Sequence, residues 1–207
     1  MNARASSFAR HRLRVVIFVT LCSAFFVPAG PLRAQETVVR FDPAQTQIHI
    51  TLDSTFHTVH GTFKLKSGEI HFDPATGKAR GSLVVDALSG DTDNKGRDKK
   101  MHQEIIQSPK FNEIVFTANA IKGSLVPRGS SEVQLSGIFR LCGQDHEMTM
   151  TAVVVSTGGR LQATTHFSIP YVKWGLKNPS TFLLHADDTV DVQIQAAGEL
   201  APASAQK

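Results

Sequence analysis

The sequence DTDNKGRDKKMHQEIIQSPKFNEIVF, residues 91–116, sets the fold class because it is the one segment with helical periodicity. Its apolar residues Met101, Ile105 and Ile106 are spaced for one face of a helix. Asp93 or Asn94 is placed to cap the helix start, and the Ser-Pro step at residues 108–109 ends it. The spacing leaves open whether this helix only closes one end of a barrel or forms a lid over a ligand entrance.

The chain around this insert alternates apolar and polar residues, as strands with one buried face do. Residues 132–141, for example, place Val133, Leu135 and Phe139 on one face and polar side chains on the other. About eight or nine such segments are separated by turn sequences such as DPATG at residues 73–77. The pattern predicts an all-β, antiparallel fold, either a small barrel or a sandwich, with one short helical insert.

The N-terminal segment has the order of a secretory signal. Residues 1–14 carry four arginines and no acidic residue, residues 15–27 are apolar, and Ala34 follows a Pro/Gly-rich break. The apolar run of roughly 13 residues is shorter than the ~20 that span a bilayer. We therefore predict a signal at residues 1–34, a barrel domain at residues 35–200 and a flexible tail at residues 201–207. The mature protein is expected to be periplasmic or secreted.

The charge of the chain gives no support for nucleic-acid binding. The full chain has 22 basic and 18 acidic residues. Removing residues 1–34, which hold five arginines and no acid, leaves 17 basic and 18 acidic residues. The sequence also shows no basic stripe interleaved with aromatics, so a nucleic-acid partner is not expected.

Signatures of catalysis are missing from the sequence, which contains no GxSxG, GxGxxG or HExxH motif and no phosphate-binding loop. After signal cleavage Cys142 is the only cysteine, so an intramolecular disulfide is impossible. A lone cysteine at a strand end is typical of an apolar filler rather than a nucleophile. The sequence predicts a protein that is not an enzyme and has no cofactor.

Histidines provide the alternative interpretation, a metal- or redox-linked envelope protein. The chain beyond residue 34 contains eight histidines. Strand parity turns His57 and His146 inward, where His102 of the helix could join them around a metal. His60 points away from His57 and could not share that metal.

The inward-facing residues are aliphatic, phenylalanine or methionine. We take as lumen residues Phe63, Leu65, Phe72, Leu135, Phe139, Met148, Met150, Phe167 and Ile194, with Val133, Leu141 and Val192 on the same faces. Side chains of this kind could fill a small barrel completely or could line a hollow one. The residues alone leave these two alternatives open.

Four segments together resemble the YceI-like family. The insert matches the family's DTxN..RD pattern, and TVHGTFKLKSGEIHFDPATG (residues 58–77) resembles its early hairpin. VQLSGIFRLCGQDHEMTM (residues 133–150) is similar to its central hairpin, and residues 171–200 to its last crossover and strand. Asn112 stands where the family often has proline. The resemblance covers roughly residues 37–200.

The resemblance implies a lipocalin-like, antiparallel barrel of about eight strands with a hollow apolar lumen that binds a long-chain amphiphile, either a polyisoprenoid or a fatty-acyl compound. The lumen residues would hold the apolar chain of the ligand, for transport, storage or sequestration. The mature protein is not expected to insert stably into a membrane after signal cleavage. A polar head group would lie at the mouth, for which the candidates are His57, Met101, His102, His146 and Trp174, with Arg97, Lys173 and Lys177 nearby. Nothing in the sequence specifies an oligomeric state.

Overall fold

The computed structural model describes residues 36–202, which form nine strands and one helical insert. The strands are β1 (Thr37–Phe41), β2 (Gln47–Leu52), β3 (Val59–Phe72), β4 (Ala79–Asp91), β5 (Glu113–Lys122), β6 (Arg128–Leu141), β7 (Gln144–Thr157), β8 (Arg160–Ile169) and β9 (Val190–Pro202). The insert is α1 (Lys95–Lys100), continued by a π-helical turn at Met101–Ile105. The predicted all-β, antiparallel barrel with one short helical insert is confirmed.

The strands close into an up-and-down barrel in which chain neighbours pair around the whole circle. β1 and β2 occupy one position between β3 and β9. In β1, Val39 pairs with Ile70 and Leu200, and in β2, Ile48 pairs with Phe63 and Ile194. The nine strands therefore make an eight-stranded barrel with one interrupted strand.

The interruption between β1 and β2 is a 3₁₀ turn at Pro43–Gln45. Pro43 cannot donate to a strand ladder, and the Asp42 carboxylate accepts the backbone N–H of Ala44 at 2.8 Å. The Thr46 hydroxyl donates back to the Asp42 carbonyl at 2.8 Å. These local bonds satisfy the polar groups that the broken ladder leaves free.

The barrel interior contains two clusters of buried apolar side chains. The larger cluster includes Ile48, Phe63, Phe139 and Met150 and extends to the residues beneath α1. The smaller cluster consists of Val39, Phe72, Ile121, Val133, Val154 and Leu161. It lies at the end where β3 turns into β4 and β5 into β6, which we call the closed end. The opposite end, which carries α1, is called the open end.

The predicted signal sequence, residues 1–34, lies outside the described residues. Within residues 36–202, no helix combines the length and the apolar character needed to cross a membrane. β9 continues to Pro202, where its last residues pair with the start of β1, Val38 with Ala201 and Thr37 with Pro202.

Candidate ligand cavity

A cavity of about 490 Å³ occupies the open half of the barrel beneath α1. Its walls come mainly from the inward faces of the strands, where isoleucine and valine predominate. The apolar strand residues lining it are Ile48, Ile50, Leu52, Val59, Phe63, Val85, Ile114, Phe139, Leu141, Phe167, Ile169, Val190, Val192 and Ile194. The barrel is thus hollow beneath α1. At the closed end the smaller cluster fills the interior, and a smaller pocket of about 390 Å³ lies against Phe72, Ile121 and the β5–β6 loop.

The cavity reaches solvent between three segments: the β2–β3 loop, α1 and the β8–β9 connection. Each segment contributes an exposed residue to the lining, namely His57, Gly96 and Thr181. Tyr171, Leu176 and Leu184 of the β8–β9 connection complete the walls near this opening. The helical insert therefore lies over a cavity mouth, which favours the lid over the plain end cap.

A compact set of hydrogen bonds fixes the start of the lid. The Asn94 side chain caps α1 by accepting the N–H groups of Gly96 and Arg97 at 3.1 and 3.0 Å. Buried Thr92 donates its hydroxyl to the Asp98 carboxylate at 2.5 Å, which also accepts the Thr92 N–H at 2.9 Å. The same hydroxyl accepts from Arg97 Nε at 2.8 Å. The DTDN..RD motif is thus one hydrogen-bonded unit.

The second half of the lid is held by His102 and Cys142. Since the Gly90 carbonyl can only accept, His102 Nε2 donates to it at 2.9 Å, and Nδ1 contacts the hydroxyl of buried Ser108 at 2.7 Å. The Cys142 thiol donates to the Ile106 carbonyl at 3.1 Å, and burial raises the pKa of that thiol. The Cys142 thiol is therefore protonated at neutral pH, and its hydrogen bond fastens the lid to the end of β6.

Gly90 allows the lid to sit close to the barrel wall. A Cβ at this position would lie 2.7 Å from both Met101 Cε and the ring of Phe63. Met101 is buried and lines the cavity together with Ile105 and Ile106. The π-helical turn that carries these residues is closed by a bond from Ile106 N to Met101 O at 3.0 Å.

The β8–β9 connection is fixed across the mouth by polar bonds, with Tyr171, Leu176 and Leu184 turned toward the cavity. The Tyr171 hydroxyl donates to the Asp187 carbonyl at 2.7 Å. Burial, with the nearby carboxylates of Asp188 and Asp187, raises the pKa of Tyr171 to about 12, so the ring stays neutral. Lys100 Nζ donates to the Pro179 carbonyl at 2.8 Å, tying the lid to this connection.

Two cations lie at the lip of the cavity. Arg97 and Lys100 line it, and neither makes an ion pair with another residue of the described range. Their recorded hydrogen bonds run to Thr92 and to the Pro179 carbonyl, both uncharged. The mouth therefore offers positive charge beside an apolar interior.

The sequence-derived lumen residues fall at three heights along the barrel. Phe63, Phe139, Phe167 and Ile194 line the cavity. Leu65, Leu135, Met148 and Met150 belong to or pack on the larger cluster without lining the cavity. Phe72 lies in the smaller cluster at the closed end.

The sequence-derived mouth residues also divide. His57 and Met101 line the cavity, whereas His102, His146 and Trp174 do not. The rings of His146 and Trp174 stack with centroids 4.0 Å apart, and Trp174 also packs on Phe139 at 5.7 Å. Among the described residues, no group of three or more His, Cys, Asp or Glu side chains is arranged to hold a metal ion, so His57, His102 and His146 form no metal centre.

Several lining residues were not found from the sequence, chiefly in the lid and in the β8–β9 connection. In these two segments they are Gly96, Lys100, Tyr171, Leu176, Pro179, Thr181, Leu184 and Ala186, and on the strands they include Ile48, Ile50, Leu52, Val85 and Ile114. Strand parity does not reach irregular segments, so no local signal predicts which of their side chains turn inward. Their positions depend on bonds to distant residues, such as Lys100 to Pro179.

Comparison with known proteins gives a family and a set of structural neighbours. The family model for the YceI-like domain matches residues 40–197, and no curated protein matches the chain. The Burkholderia cenocepacia protein BcnA superposes with a TM-score of 0.64 at 16% identity, over 76% of this chain and 98% of that chain.

Two further solved structures share the fold. A polyisoprenoid binding domain from Saccharophagus degradans, implicated in plant cell wall breakdown, gives a TM-score of 0.58 at 14% identity, over 79% of this chain and 98% of its own. The Campylobacter jejuni YceI protein gives 0.55 at 19% identity, over 70% of this chain and 87% of its own. At these identities the likeness shows the fold alone.

Proposed function

This chain belongs to the YceI-like domain family, and we propose that it is a non-catalytic binding protein that holds the apolar chain of a long amphiphile, a polyisoprenoid or a fatty-acyl compound, in the barrel cavity. The observation that carries this proposal is the hollow open end, about 490 Å³ in volume and walled by aliphatic and aromatic side chains. The polyisoprenoid binding of the Saccharophagus degradans neighbour agrees with it.

The size and lining of the cavity suit such a ligand. Small-molecule sites are mostly apolar clefts of about 300–1,000 Å³ with a few polar groups that fix orientation. Each methylene that a ligand removes from water contributes about 0.8 kcal/mol. An alkyl or prenyl chain would therefore gain most of its affinity from the strand walls, and specificity would arise at the mouth.

The mouth favours a ligand with a neutral or anionic head group. Arg97 and Lys100 stand at the lip without a carboxylate partner in the described range, and His57 is exposed beside them. We propose that these residues contact the head group and that Met101 contacts the first part of the chain. His102, His146 and Trp174 would act indirectly, by holding the lid and the wall around Phe139.

Export completes the proposal. A cleavable signal at residues 1–34 would deliver the barrel domain, residues 35–200, to the periplasm or the exterior, where it would transport, store or sequester its ligand. The described residues support a carrier better than an enzyme, because the Cys142 thiol has a raised pKa and is hydrogen-bonded to the lid backbone.

The test is native mass spectrometry of the full-length gene product, purified without detergent from cells whose envelope supplies lipids. We expect added mass that is released on denaturation and extracts into organic solvent. Ile194→Trp fills the cavity and should lower the affinity for a fluorescent fatty acid or a fluorescent prenyl alcohol at least tenfold. Gln193→Trp is the matched control, because Gln193 is exposed on the opposite face of β9.

The outcomes separate clearly. Bare polypeptide mass, together with no uptake of either fluorescent probe by the unmodified protein, would overturn the proposal. Equal losses from both tryptophan variants would show that binding occurs outside the cavity.

A further inference from the structure

Three large apolar side chains project into solvent at the open end. Phe56 in the β2–β3 loop is 71% exposed, Leu183 in the β8–β9 connection is 76% exposed, and neighbouring Phe182 is fully exposed. Exposed apolar side chains scattered singly are ordinary, but a group at the mouth of an apolar cavity is typical of a binding surface.

Hydrogen bonds hold these side chains outward. The two loops are joined by the Thr55 N–H to the His185 carbonyl at 2.9 Å and the Asp187 N–H to the Asp53 carbonyl at 2.9 Å. A tight turn, closed by the Thr181 N–H to the Leu184 carbonyl at 2.8 Å, has Phe182 and Leu183 at its tip. The exposure is thus a feature of ordered backbone.

The exposed group is continuous with the cavity. Thr181 and Leu184, which flank the tip, both line the cavity, and so does His57, which follows Phe56. The exposed apolar side chains are therefore direct chain neighbours of residues that line the cavity. A ligand chain leaving the cavity would pass these side chains.

The lid helix adds positive charge next to this surface. α1 reads KGRDKK, and its exposed residues Lys95 and Lys99 make no ion pair within the described range. Its single carboxylate, Asp98, is bonded to Thr92. The neighbouring loops also carry acids: Asp53 accepts from Thr58 at 2.6 Å and Asp188 from Asn178 at 2.8 Å, while Asp93 and Asp187 are exposed.

We propose that this rim, consisting of Phe56, Phe182, Leu183, Lys95 and Lys99, docks on the surface of a bilayer that contains anionic lipids. Aromatic and leucine side chains next to lysines are the composition that inserts at the headgroup boundary. Long amphiphiles reside in lipid assemblies rather than free in water, so a docked mouth lets the chain pass between bilayer and cavity. The transfer step rests on the proposed function, whereas docking does not.

The experiment measures co-sedimentation of the full-length protein's mature product with vesicles of equal parts phosphatidylcholine and phosphatidylglycerol. The double variant Phe182→Ser/Leu183→Ser should lose at least tenfold in partition coefficient. The matched control is Val153→Ser/Val155→Ser, an apolar pair on β7 that is 45% and 47% exposed and lies outside the cavity lining. That control should bind as the unmodified protein does.

The charge component has its own pair of variants. Lys95→Gln/Lys99→Gln should weaken binding several-fold at low salt and remove most of its salt dependence. Lys122→Gln, at the closed end of β5, should change neither. Unmodified protein that fails to bind the vesicles, or losses as large in the controls as in the rim variants, would overturn the inference. The inference would also be overturned if Phe182 and Leu183 were required for self-association or for binding a protein partner but not for binding vesicles.

Failure of docking and failure of the proposed function give different results. Uptake of the fluorescent fatty acid from solution without vesicle binding would contradict membrane docking but would still support the carrier function. Vesicle binding without uptake of any chain would do the reverse. Retained uptake by Phe182→Ser/Leu183→Ser with lost vesicle binding supports the inference directly.

Discussion

The two ends of this barrel are built from the same alternating strands, yet one is packed and the other is hollow. At the closed end, Phe72, Leu161 and four other aliphatic residues meet and fill the interior. At the open end, the walls carry the same kinds of side chain, chiefly isoleucine and valine with three phenylalanines, yet a cavity of about 490 Å³ remains between them. A lid spans the remaining space instead of filling it.

The difference shows that alternation determines which side chains face inward but not whether they meet. Since both ends consist mainly of isoleucine and valine, filling depends on where these side chains lie along the barrel and on what covers each end. The closed end is covered by short turns, such as the one that bonds Ile121 N to the Gly77 carbonyl at 2.8 Å. We expect stability to reside mainly in the closed end and ligand affinity mainly in the open end.

The strongest test of this division truncates one phenylalanine at each end. Phe72→Ala removes a side chain that is only 5% exposed and should lower the free energy of unfolding by about 3–5 kcal/mol. Phe167→Ala, in the cavity wall, should cost about 1–2 kcal/mol, because its ring is only partly buried. Urea unfolding measures both. Equal losses would show that the two ends are packed alike.

The hydrogen-bonded start of the lid offers a smaller effect that should stay local. Thr92→Val removes the hydroxyl between Asp98 and Arg97 and should destabilise the lid by about 1–3 kcal/mol, since two polar groups lose a partner. Hydrogen exchange of the amides in residues 95–106 should accelerate, and a fluorescent fatty acid should dissociate faster. Closed-end amides should exchange as before.

The matched control lies in the turn at the other end. Thr76 is exposed, and its hydroxyl donates to Asp73 at 2.9 Å. Thr76→Val should leave both ligand dissociation and lid exchange unchanged. If Thr92→Val accelerates amide hydrogen exchange throughout the barrel, the lid does not open independently of the strands. That result would contradict the proposed division between a stable closed end and a ligand-binding open end.

Local periodicity was sufficient for the strand alternation and the position of the helical insert, whereas the choice of a barrel over a sandwich came from the resemblance to the family. It placed Phe63 and Phe139 on inward faces, and both line the cavity. Parity gave Phe72 the same inward orientation but could not give its height along the barrel axis. That height follows from register, which pairs Phe72 with Thr37 at the closed end.

The remaining part of the site depends on contacts between segments that are distant in sequence. Tyr171 and Leu176 line the cavity only because the chain after β8 folds back across the mouth. Strand parity predicts that His146 faces the head group of a ligand. In the structure, Trp174 instead stacks on the His146 ring. Neither arrangement has a local signal, so sequence reasoning could not predict which residues of these segments reach the cavity.

Acid titration gives the smallest effect and compares the surfaces of the two ends. Near the closed end, the hydrogen bond from Arg80 lowers the pKa of Glu36. The pKa of Glu69 is lowered first by its hydrogen bond with His71 and then by that from Arg40. Near the open end, Lys177 lowers the pKa of Glu104. A carboxylate whose pKa is lower in the folded protein stabilises it above its unfolded pKa, ordinarily 4.5.

That stabilisation is lost as the pH falls through the lowered folded pKa values, so unfolding should become easier from about pH 5 downward. Each carboxylate should contribute little to stability, because all three belong to ion pairs at the solvent-accessible surface. Thermal unfolding in low salt from pH 6 to pH 2 measures this loss of stability. Glu36→Gln/Glu69→Gln should reduce the pH dependence of the unfolding temperature more than Glu104→Gln does. Equal flattening, or a larger change from Glu104→Gln, would place the acid-sensitive contacts at the lid rather than at the packed end.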